Sequence, residues 1–420
     1  MRLASRLDHI EPFYVMECAK TAYEIARSPA CNPAQGGRPM IFLNIGEPDF
    51  TAPQPVQAAA QACLAAGRTQ YTEATGIAPL REAISRWYGQ RFGLDVPPRR
   101  IVVTAGASAA LQLATLALFE PGDEALLPDP SYPCNRHFVA AAGATPRLLP
   151  TDAAGRFQLD AASVAAAWSE HTRGVLLASP SNPTGTSIAP DEMQRIVQTV
   201  RARGGVTLVD EIYLGLSFSP RLPSTATAPR GGQVQLGSGP ALNPTYDAAF
   251  GQSALQFGDD IVSINSFSKY FSMTGWRLGW LVLPEALVGP VERLAQNLFI
   301  CASSIAQHAA LACFEPEAIA EYERRRAEFQ RRRDFIVPAL ERLGLPVPVV
   351  PDGAFYAWAD CSQHAASSWD FCFDLMRRAH IALTPGRDFG PHWGERFLRL
   401  SFASSMAQLQ EAVDRLQRAL

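Results

Sequence analysis

The stretch Ser266-Phe-Ser-Lys-Tyr-Phe-Ser-Met-Thr-Gly-Trp-Arg277 has Lys269 at its centre and follows a run of apolar, β-branched residues. That run, Ile261-Val-Ser-Ile-Asn, has the pattern of a buried strand. Lys269 is one of two lysines in the chain, the other being Lys20, and nearly all of the 37 basic residues are arginine. A desolvated lysine can lose its proton and become an amine nucleophile, which arginine cannot do. The stretch therefore predicts either a reactive lysine at a strand end or an ordinary surface lysine in a loop.

Length and composition predict a globular enzyme of about two domains. The 420 residues are 47% hydrophobic and 18% charged, and their mean hydropathy is −0.02. A net charge of −3 gives no electrostatic reason to expect a nucleic acid or an anionic membrane as partner. The eight cysteines form no C-x-x-C pair, which favours thiols in a reducing compartment. We therefore expect a cytoplasmic protein with no membrane, nucleic-acid or metal partner.

Apolar strand-like runs alternate with helical patterns through the middle of the chain. The strand-like runs are 101–104, 124–128, 146–150, 174–179, 205–210, 261–266 and 278–283. This alternation over about 200 residues predicts an α/β fold with a mainly parallel sheet covered on both faces. Ligands of such sheets bind at the carboxyl ends of the strands. Asp210, the segment 179–185 and the segment 266–269 all fall at such ends.

The same patterns predict a division of the chain into two domains. Residues 49–295 are predicted to form the large domain, and 296–420 a smaller α+β domain, against which the N-terminal segment 1–48 packs. Residues 219–256 are rich in Pro, Gly, Ser, Ala and Thr, which predicts an irregular insertion, either disordered or a surface excursion or lid. The arginine cluster at 324–333 lies in a predicted helix over 319–343 and is interpreted as a solvated helix face.

A pyridoxal phosphate enzyme needs a lysine, an acid for the pyridine nitrogen, donors to the ring oxygen, a phosphate cradle and a stacking aromatic. Each requirement has a candidate near a strand end. The chain resembles the fold-type-I pyridoxal phosphate enzymes of the aspartate aminotransferase superfamily, close to the class I/II aminotransferases, from about Phe13 to the C-terminus. The most specific part of this resemblance is residues 265–280, in which Lys269 matches the lysine that forms the Schiff base with the cofactor.

The resemblance assigns further residues to the site. Those matching cofactor ligands are Ser266, Ser268 and Arg277 with the helix start Gly106-Ala107-Ser108 (phosphate), Asn182 and Tyr213 (ring oxygen), Asp210 (pyridine nitrogen), Tyr132 (stacking) and Tyr71 (the neighbouring subunit's phosphate). Those matching substrate ligands are Gly46, Asn182 and Arg399, which grips the carboxylate. Lys269, Asp210 and Tyr213 are the implied catalytic residues. Tyr71 further implies a homodimer with shared active sites.

Most of these residues also have an ordinary structural interpretation. Asp210 at a strand end is a common helix cap or turn former, and Asn182 between two prolines is a common turn residue. Tyr132 beside a proline is explained equally by packing, and Ser268 by local capping. Arg399 within an apolar strand is different, because an unpaired buried guanidinium is costly whereas a substrate carboxylate would pair with it bidentately.

The function implied by the resemblance is transamination between an α-amino acid and a 2-oxo acid. Two alternatives remain: a C–S β-lyase that uses the same cofactor residues, and a non-catalytic cofactor-binding sensor. The sensor would need a DNA-binding head of roughly 60 residues before the aminotransferase part. For a side-chain carboxylate, Arg136 and Arg387 are the candidate second arginines. An apolar N-terminal segment (Ile10, Phe13, Tyr14, Val15) would favour neutral or aromatic side chains if it covered the site, although core packing explains it equally well.

Overall fold

The computed structural model describes residues 2–218 and 251–420, which contain twelve α-helices and twelve β-strands. The helices are α1 Tyr14–Ala26, α2 Gln54–Ala65, α3 Ala78–Phe92, α4 Gly106–Leu118, α5 Pro133–Ala141, α6 Ala161–Ala167, α7 Pro190–Arg201, α8 Glu285–Leu298, α9 Ser304–Ala310, α10 Pro316–Arg342, α11 Ser368–Arg378 and α12 Met406–Ala419. The strands are β1 Ile41–Phe42, β2 Ile101–Thr104, β3 Glu124–Asp129, β4 Thr145–Pro150, β5 Thr172–Ala178, β6 Val206–Asp210, β7 Val262–Ser266, β8 Gly279–Val282, β9 Tyr356–Asp360, β10 Ile381–Ala382, β11 Thr384–Pro385 and β12 Phe397–Ser401. Most of the predicted insertion, residues 219–250, lies outside the described residues.

Seven strands form the large sheet, in the order β2-β8-β7-β6-β5-β3-β4. Five neighbouring strands, β4, β3, β5, β6 and β7, run parallel to one another. Strand β8 is antiparallel to both of its neighbours, β7 and β2. Successive residues of β6 belong to different hydrophobic clusters, Leu208 to one and Val209 to the other. Because side chains alternate across a strand, the sheet is covered on both faces, which confirms the predicted mainly parallel α/β architecture.

The N-terminal segment joins the C-terminal third through a second, smaller set of contacts. Strand β1 pairs in parallel with β10, with Ile41 opposite Ile381. Cys18 and Ala22 of α1 pack in one hydrophobic cluster with Met376 of α11. A separate antiparallel sheet in the order β11-β12-β9 lies in the C-terminal third. These contacts bring residues from both ends of the chain together beside the ends of the large sheet's strands.

The interpretation of the arginine cluster in α10 as a solvated face is wrong for its buried members, although Arg324 and Arg331 are exposed. Arg326 is fully buried and donates to Glu323 (2.7 Å) and to the Ser217 carbonyl (3.0 Å). Arg332 is buried as well and donates to both carboxylate oxygens of Asp49, at 2.8 and 3.0 Å. Because α10 packs against α2, α12 and β9, several of its arginines face protein rather than solvent and are paired there.

The apolar run 347–350 does not form a strand. This segment has no regular structure, although Val347 is buried. Three prolines (Pro346, Pro348 and Pro351) stand within or beside it, and each lacks the backbone N–H that a strand ladder needs. The apolar run therefore packs without pairing.

None of the helices in residues 2–218 and 251–420 is both long and apolar enough to cross a membrane. The longest of them, α10, has 27 residues. It is rich in arginine and glutamate and forms ion pairs along its length, such as Arg331 with Glu328.

Candidate active site

A cavity of about 520 Å³ opens at the carboxyl ends of β5, β6 and β7. Parallel strands present their carboxyl ends at one edge of the sheet, so side chains that follow different strands meet there. The sequence-predicted residues that line the cavity are Gly46, Ala107, Ser108, Tyr132, Asn182, Asp210, Tyr213, Ser268, Lys269, Arg277 and Arg399. The predicted residues that do not line it are Gly106, Ser266 and Tyr71.

Lys269 faces this cavity from the loop that follows β7. Its Nζ donates to the carbonyl oxygen of Gly46. Desolvation lowers the pKa of the lysine to about 8; the Glu47 carboxylate opposes this shift, and the Arg399 guanidinium adds to it. A substantial fraction of the amine is therefore neutral near pH 8, as a nucleophile or a general base must be. The alternative of an ordinary surface lysine does not agree with this setting.

Asp210 stands at the end of β6 and faces the same cavity. One carboxylate oxygen accepts the backbone N–H of Ile212 at 3.1 Å, so the residue also makes the turn contact expected of a strand-end aspartate. Burial raises the pKa of Asp210 to about 6, against the opposing effects of that N–H and of Lys269. A buried carboxylate of this kind is most stable as an anion when a cation lies beside it.

Two tyrosine hydroxyls meet on the cavity wall. Tyr213, just after β6, and Tyr356, in β9, place their hydroxyl oxygens 2.8 Å apart. Burial raises the pKa of both phenols above the ordinary value, so both stay protonated and can donate hydrogen bonds. Tyr356 was not identified from the sequence, because it stands in an apolar, aromatic run that is typical of a core strand.

Arg399 in β12 lies on the cavity wall with only 2% of its surface exposed. Its Nη1 donates to the Asn182 side-chain oxygen (2.8 Å) and its Nη2 to the Asn44 carbonyl (2.7 Å). The guanidinium lies over the rings of Tyr356 (4.4 Å) and Phe389 (5.0 Å). Within the part of the chain that the structure describes, the buried Nε–H has no partner, a situation that typically costs about 1–3 kcal/mol. The group is therefore held in place by neighbours that leave donors free for an anion, as a carboxylate grip requires.

Asn44 is a second polar residue of the cavity wall that the sequence did not reveal. Its side chain is fully buried, and neither its amide nitrogen nor its amide oxygen has a hydrogen-bond partner among the described residues. A buried unpaired amide is unfavourable unless a ligand or water supplies the missing contacts. The available signal was an asparagine inside the apolar run 40–45, where a hydrophobic residue would be expected.

The start of α4 and Arg277 form a concave anion cradle. Gly106 has a φ of +82°, and a Cβ at this position would lie 2.7 Å from Nη2 of Arg277, so glycine is required there. Ala107 and Ser108 follow it in the first turn of α4, where unpaired N–H groups and the helix dipole favour negative charge. The guanidinium and the helix start therefore favour an anion at the same place.

Ser266 supports the cradle from behind. Its Oγ donates to the Oγ of Ser268 (2.9 Å) and accepts the Ser268 backbone N–H (3.0 Å), and it is almost fully buried. Ser268 lines the cavity. In this chain, Ser268 therefore offers the serine contact that faces the cavity, and Ser266 fixes its position.

Tyr132 lines the cavity directly before α5. Its ring meets that of Phe13 edge to face, with centroids 6.1 Å apart. Tyr71 lies outside the cavity with 79% of its surface exposed. Its predicted role in a neighbouring subunit stays a prediction.

Residues along α1, together with the residue before it, form an apolar wall of the cavity. Its members are Phe13, Val15, Met16, Ala19 and Tyr23. Phe13 and Val15 were anticipated in this role, whereas Ile10 and Tyr14 do not line the cavity.

Neither candidate for a second arginine reaches this cavity. Arg136 donates to the Asp388 carbonyl (3.1 Å), and Arg387 lies over the Tyr14 ring, 5.0 Å from its centroid. Both line a separate surface groove.

These residues fit pyridoxal phosphate. The concave surface at Gly106 and Arg277 suits its phosphate, the buried Asp210 carboxylate suits a protonated ring nitrogen, and the phenol of Tyr213 suits the ring oxygen. A lysine with a lowered pKa faces the same space. The cavity volume lies within the range of pockets that enclose small cofactors and substrates.

Comparison with known proteins matches nearly the whole chain to aminotransferases. The family profile described as "Aminotransferase class I and II" matches residues 38–416. Valine–pyruvate aminotransferase from Mycobacterium tuberculosis is 36% identical over 407 residues, which cover 97% of this chain and 96% of the relative. Aspartate aminotransferase from Thermotoga maritima is 32% identical over 381 residues and 91% of each chain. The crystal structure of an aminotransferase from Mycobacterium tuberculosis superposes with a TM-score of 0.88 at 35% identity, covering 100% of this chain and 99% of that one.

Proposed function

The chain belongs to the class I and II aminotransferases and is a transaminase, and from this premise we propose that it works with pyridoxal 5′-phosphate bound at Lys269. The observation that carries the proposal is that Lys269 and Asp210 face the same cavity. Asp210 ends β6, and Lys269 lies in the loop after β7, the adjacent parallel strand. Their pKa values are shifted toward each other, to about 8 and about 6. Perturbed groups that share a cleft are typical of catalytic sites.

The proposed cofactor ligands form four groups, one for each part of the cofactor. Ser268, Arg277 and the first turn of α4 would hold the phosphate; Asp210 would accept a hydrogen bond from the ring nitrogen; Asn182 and Tyr213 would contact the ring oxygen; Tyr132 would pack against the ring. The substrate carboxylate would bind Arg399, whose free Nε–H and adjacent Asn44 amide need partners.

The chain's own groups then supply orientation and proton transfer. When bound, the cofactor supplies an electron sink for the pair left behind at the substrate's Cα. Arg399 fixes the substrate carboxylate, which places the Cα within reach of Lys269. Nζ of Lys269 removes the Cα proton from the amino acid and returns a proton to the Cα of the incoming 2-oxo acid. The Asp210 carboxylate remains ionised beside the ring nitrogen and stabilises positive charge there.

The C–S β-lyase and sensor alternatives are not proposed. The compared relatives are named as aminotransferases, and the match to the first of them covers 97% of this chain. The test must nevertheless separate the reactions, because a β-lyase would use the same cofactor residues.

The test is to load the purified protein with pyridoxal phosphate and supply amino donors with pyruvate or 2-oxoglutarate. We expect a yellow holoenzyme, and one 2-oxo acid formed for each amino acid made from the acceptor. Omitting the acceptor should stop the reaction after one turnover. Protein that stays colourless with added cofactor would contradict the cofactor assignment, and steady release of pyruvate and ammonia without an acceptor would indicate the lyase.

We further propose a homodimer in which Tyr71 reaches the partner's phosphate site. Its high exposure, 79%, leaves it free to do so. Light scattering should give twice the chain mass of 45.6 kDa. Mixing a Tyr71→Ala variant with a Lys269→Ala variant should restore intact sites, about a quarter of the total in a randomly exchanged dimer. A monomer mass, or no regained activity on mixing, would contradict shared sites.

We also propose a cytoplasmic location and a two-domain organisation. All eight cysteines are free thiols, which agrees with a reducing compartment. The large sheet falls within the proposed domain 49–295, and the three-stranded sheet within 296–420. The pairing of β1 with β10 supports assigning segment 1–48 to the smaller domain.

A further inference from the structure

We propose that the amino-acid substrate has an uncharged, apolar side chain, and that Asp388 is the positioning residue that fixes α1 to receive it. This inference rests on the proposed function, because it concerns the side-chain part of the same cavity. It goes further by naming a substrate class and a residue outside the cavity lining.

Among the residues that the structure describes, the charged groups lining the cavity leave no cation for a second carboxylate. Within the described part of the chain, the charged lining residues are Glu47, Asp210, Lys269, Arg277 and Arg399. In the proposed function, each of the last four already serves the cofactor or the α-carboxylate. The remaining one, Glu47, is itself an anion and would repel an acidic side chain. An aspartate or glutamate side chain would therefore find no cationic partner among these residues, which disfavours its binding.

The wall that remains is apolar and belongs to one face of α1. Phe13, Met16, Ala19 and Tyr23 follow the three-to-four-residue spacing of one helical side. Met16 and Tyr23 expose 61% and 47% of their surface. Large apolar side chains exposed at a cavity are the kind of surface that an apolar ligand covers. The wall is therefore suited to aliphatic or aromatic substrate side chains.

Asp388 holds the beginning of α1 from a distant part of the chain. Its two carboxylate oxygens accept the backbone N–H groups of Tyr14 (3.0 Å) and Val15 (2.9 Å). The residue is 1% exposed, and Phe13 at the N-cap position supplies no side-chain cap of its own. First-turn N–H groups need such acceptors, so Asp388 determines where α1 starts.

The turn that carries Asp388 also touches the carboxylate grip. The next residue, Phe389, lies under the Arg399 guanidinium at 5.0 Å. Arg136 donates to the Asp388 carbonyl (3.1 Å) and steadies the turn from the other side. The segment of Asp388 and Phe389 therefore contacts two parts of the site. These are Arg399, which would bind the substrate's α-carboxylate, and α1, which would face the substrate's side chain. Removing the Asp388 carboxylate should loosen α1 and leave Arg399 in place.

The experiment compares single-turnover reactions of the holoenzyme with alanine, leucine, phenylalanine, aspartate, glutamate and lysine, followed by absorbance. We expect wild-type kcat/KM for leucine or phenylalanine to exceed that for the charged amino acids by about 100-fold or more. In Asp388→Ala, kcat/KM for the large apolar substrates should fall about tenfold, mainly through KM, whereas alanine changes less than about twofold. Asp388→Asn keeps one carbonyl-type acceptor and should fall between.

Asp160→Ala is the matched control. Asp160 also caps a helix, accepting the Ser163 N–H at 2.7 Å, but it begins α6, away from the cavity. This variant should lose thermal stability without changing the leucine-to-alanine ratio. If Asp388→Ala fails to fold, Asp388→Asn decides the matter by the same ratio.

Three outcomes would overturn the inference or its premise. Aspartate or glutamate reacting as well as leucine would refute the substrate class. An equal loss for alanine and phenylalanine in the Asp388 variants would reduce Asp388 to a purely structural role. If no amino acid of any class changes the cofactor's absorbance, the proposed function itself fails, and this result is distinct from the other two.

Discussion

Replacing Lys269 with alanine should lower transamination by at least about 10⁴-fold, because one amine serves both as nucleophile and as proton carrier. Its position supports both roles, since it faces the cavity with a pKa lowered to about 8. Lys269→Arg should be equally inactive, because arginine keeps the charge but cannot give up its proton. The measurement is the rate of 2-oxo acid formation with saturating cofactor.

Lys20 provides the control, since it is the chain's other lysine and is exposed on α1. Lys20→Ala should keep wild-type turnover. Borohydride treatment of the wild-type holoenzyme, followed by digestion and mass spectrometry, should leave the pyridoxyl group on the peptide containing Lys269. Label on Lys20, or a Lys269→Arg variant with substantial activity, would refute the assignment.

Asp210→Asn should abolish most activity and at the same time stabilise the cofactor-free protein. Turnover should fall by about 10²–10⁴-fold, because the ring nitrogen loses its anionic partner. Stability should rise because burial raises the pKa of Asp210 to about 6, so the fold must ionise a carboxyl that prefers to be neutral. At about 1.4 kcal/mol per pKa unit, the gain at pH 7 is on the order of 1–3 kcal/mol.

The sign of the pH dependence distinguishes this origin of stability from a general packing effect. Between the unfolded pKa near 3.9 and the folded value of about 6, the folded protein binds more protons than the unfolded one. The stability of the wild-type protein therefore falls as pH rises through this window. The advantage of Asp210→Asn should be largest at pH 7 and should shrink toward pH 4. Urea unfolding of both cofactor-free proteins at these pH values measures it, and an advantage that does not vary with pH would contradict the burial argument.

The sequence predicted those elements of the fold whose local residue pattern agrees with the burial of the same residues in the structure. Strand β2 has the predicted bounds, Ile101–Thr104, because its four residues are all apolar or β-branched and all buried. Helix α8 was missed because Gly289 and Pro290 stand inside it, and such residues are usually evidence against a helix. Its apolar side packs against α4, and this packing outweighs the local preference.

The site was predictable where a residue's chemistry conflicts with a simple structural role. Lys269 and Arg399 could be identified in this way, whereas Tyr356 could not. Its hydroxyl meets that of Tyr213, 143 positions away in the sequence, and no local pattern predicts a contact between such distant residues. The buried arginines of α10 were misjudged for a similar reason, since some of their partners lie far away in sequence, such as Asp49 for Arg332 and the Ser217 carbonyl for Arg326.

The link from the Asn44 carbonyl to Arg399 spans 355 positions, and this separation has a consequence for biosynthesis. A ribosome-bound chain that ended near residue 350 would already contain Lys269 and Asp210 but not the strand with Arg399. Contacts this distant in sequence form late, because both partners must have left the ribosome. The nascent chain therefore gains the lysine that would bind the cofactor well before it gains the arginine that would select the substrate.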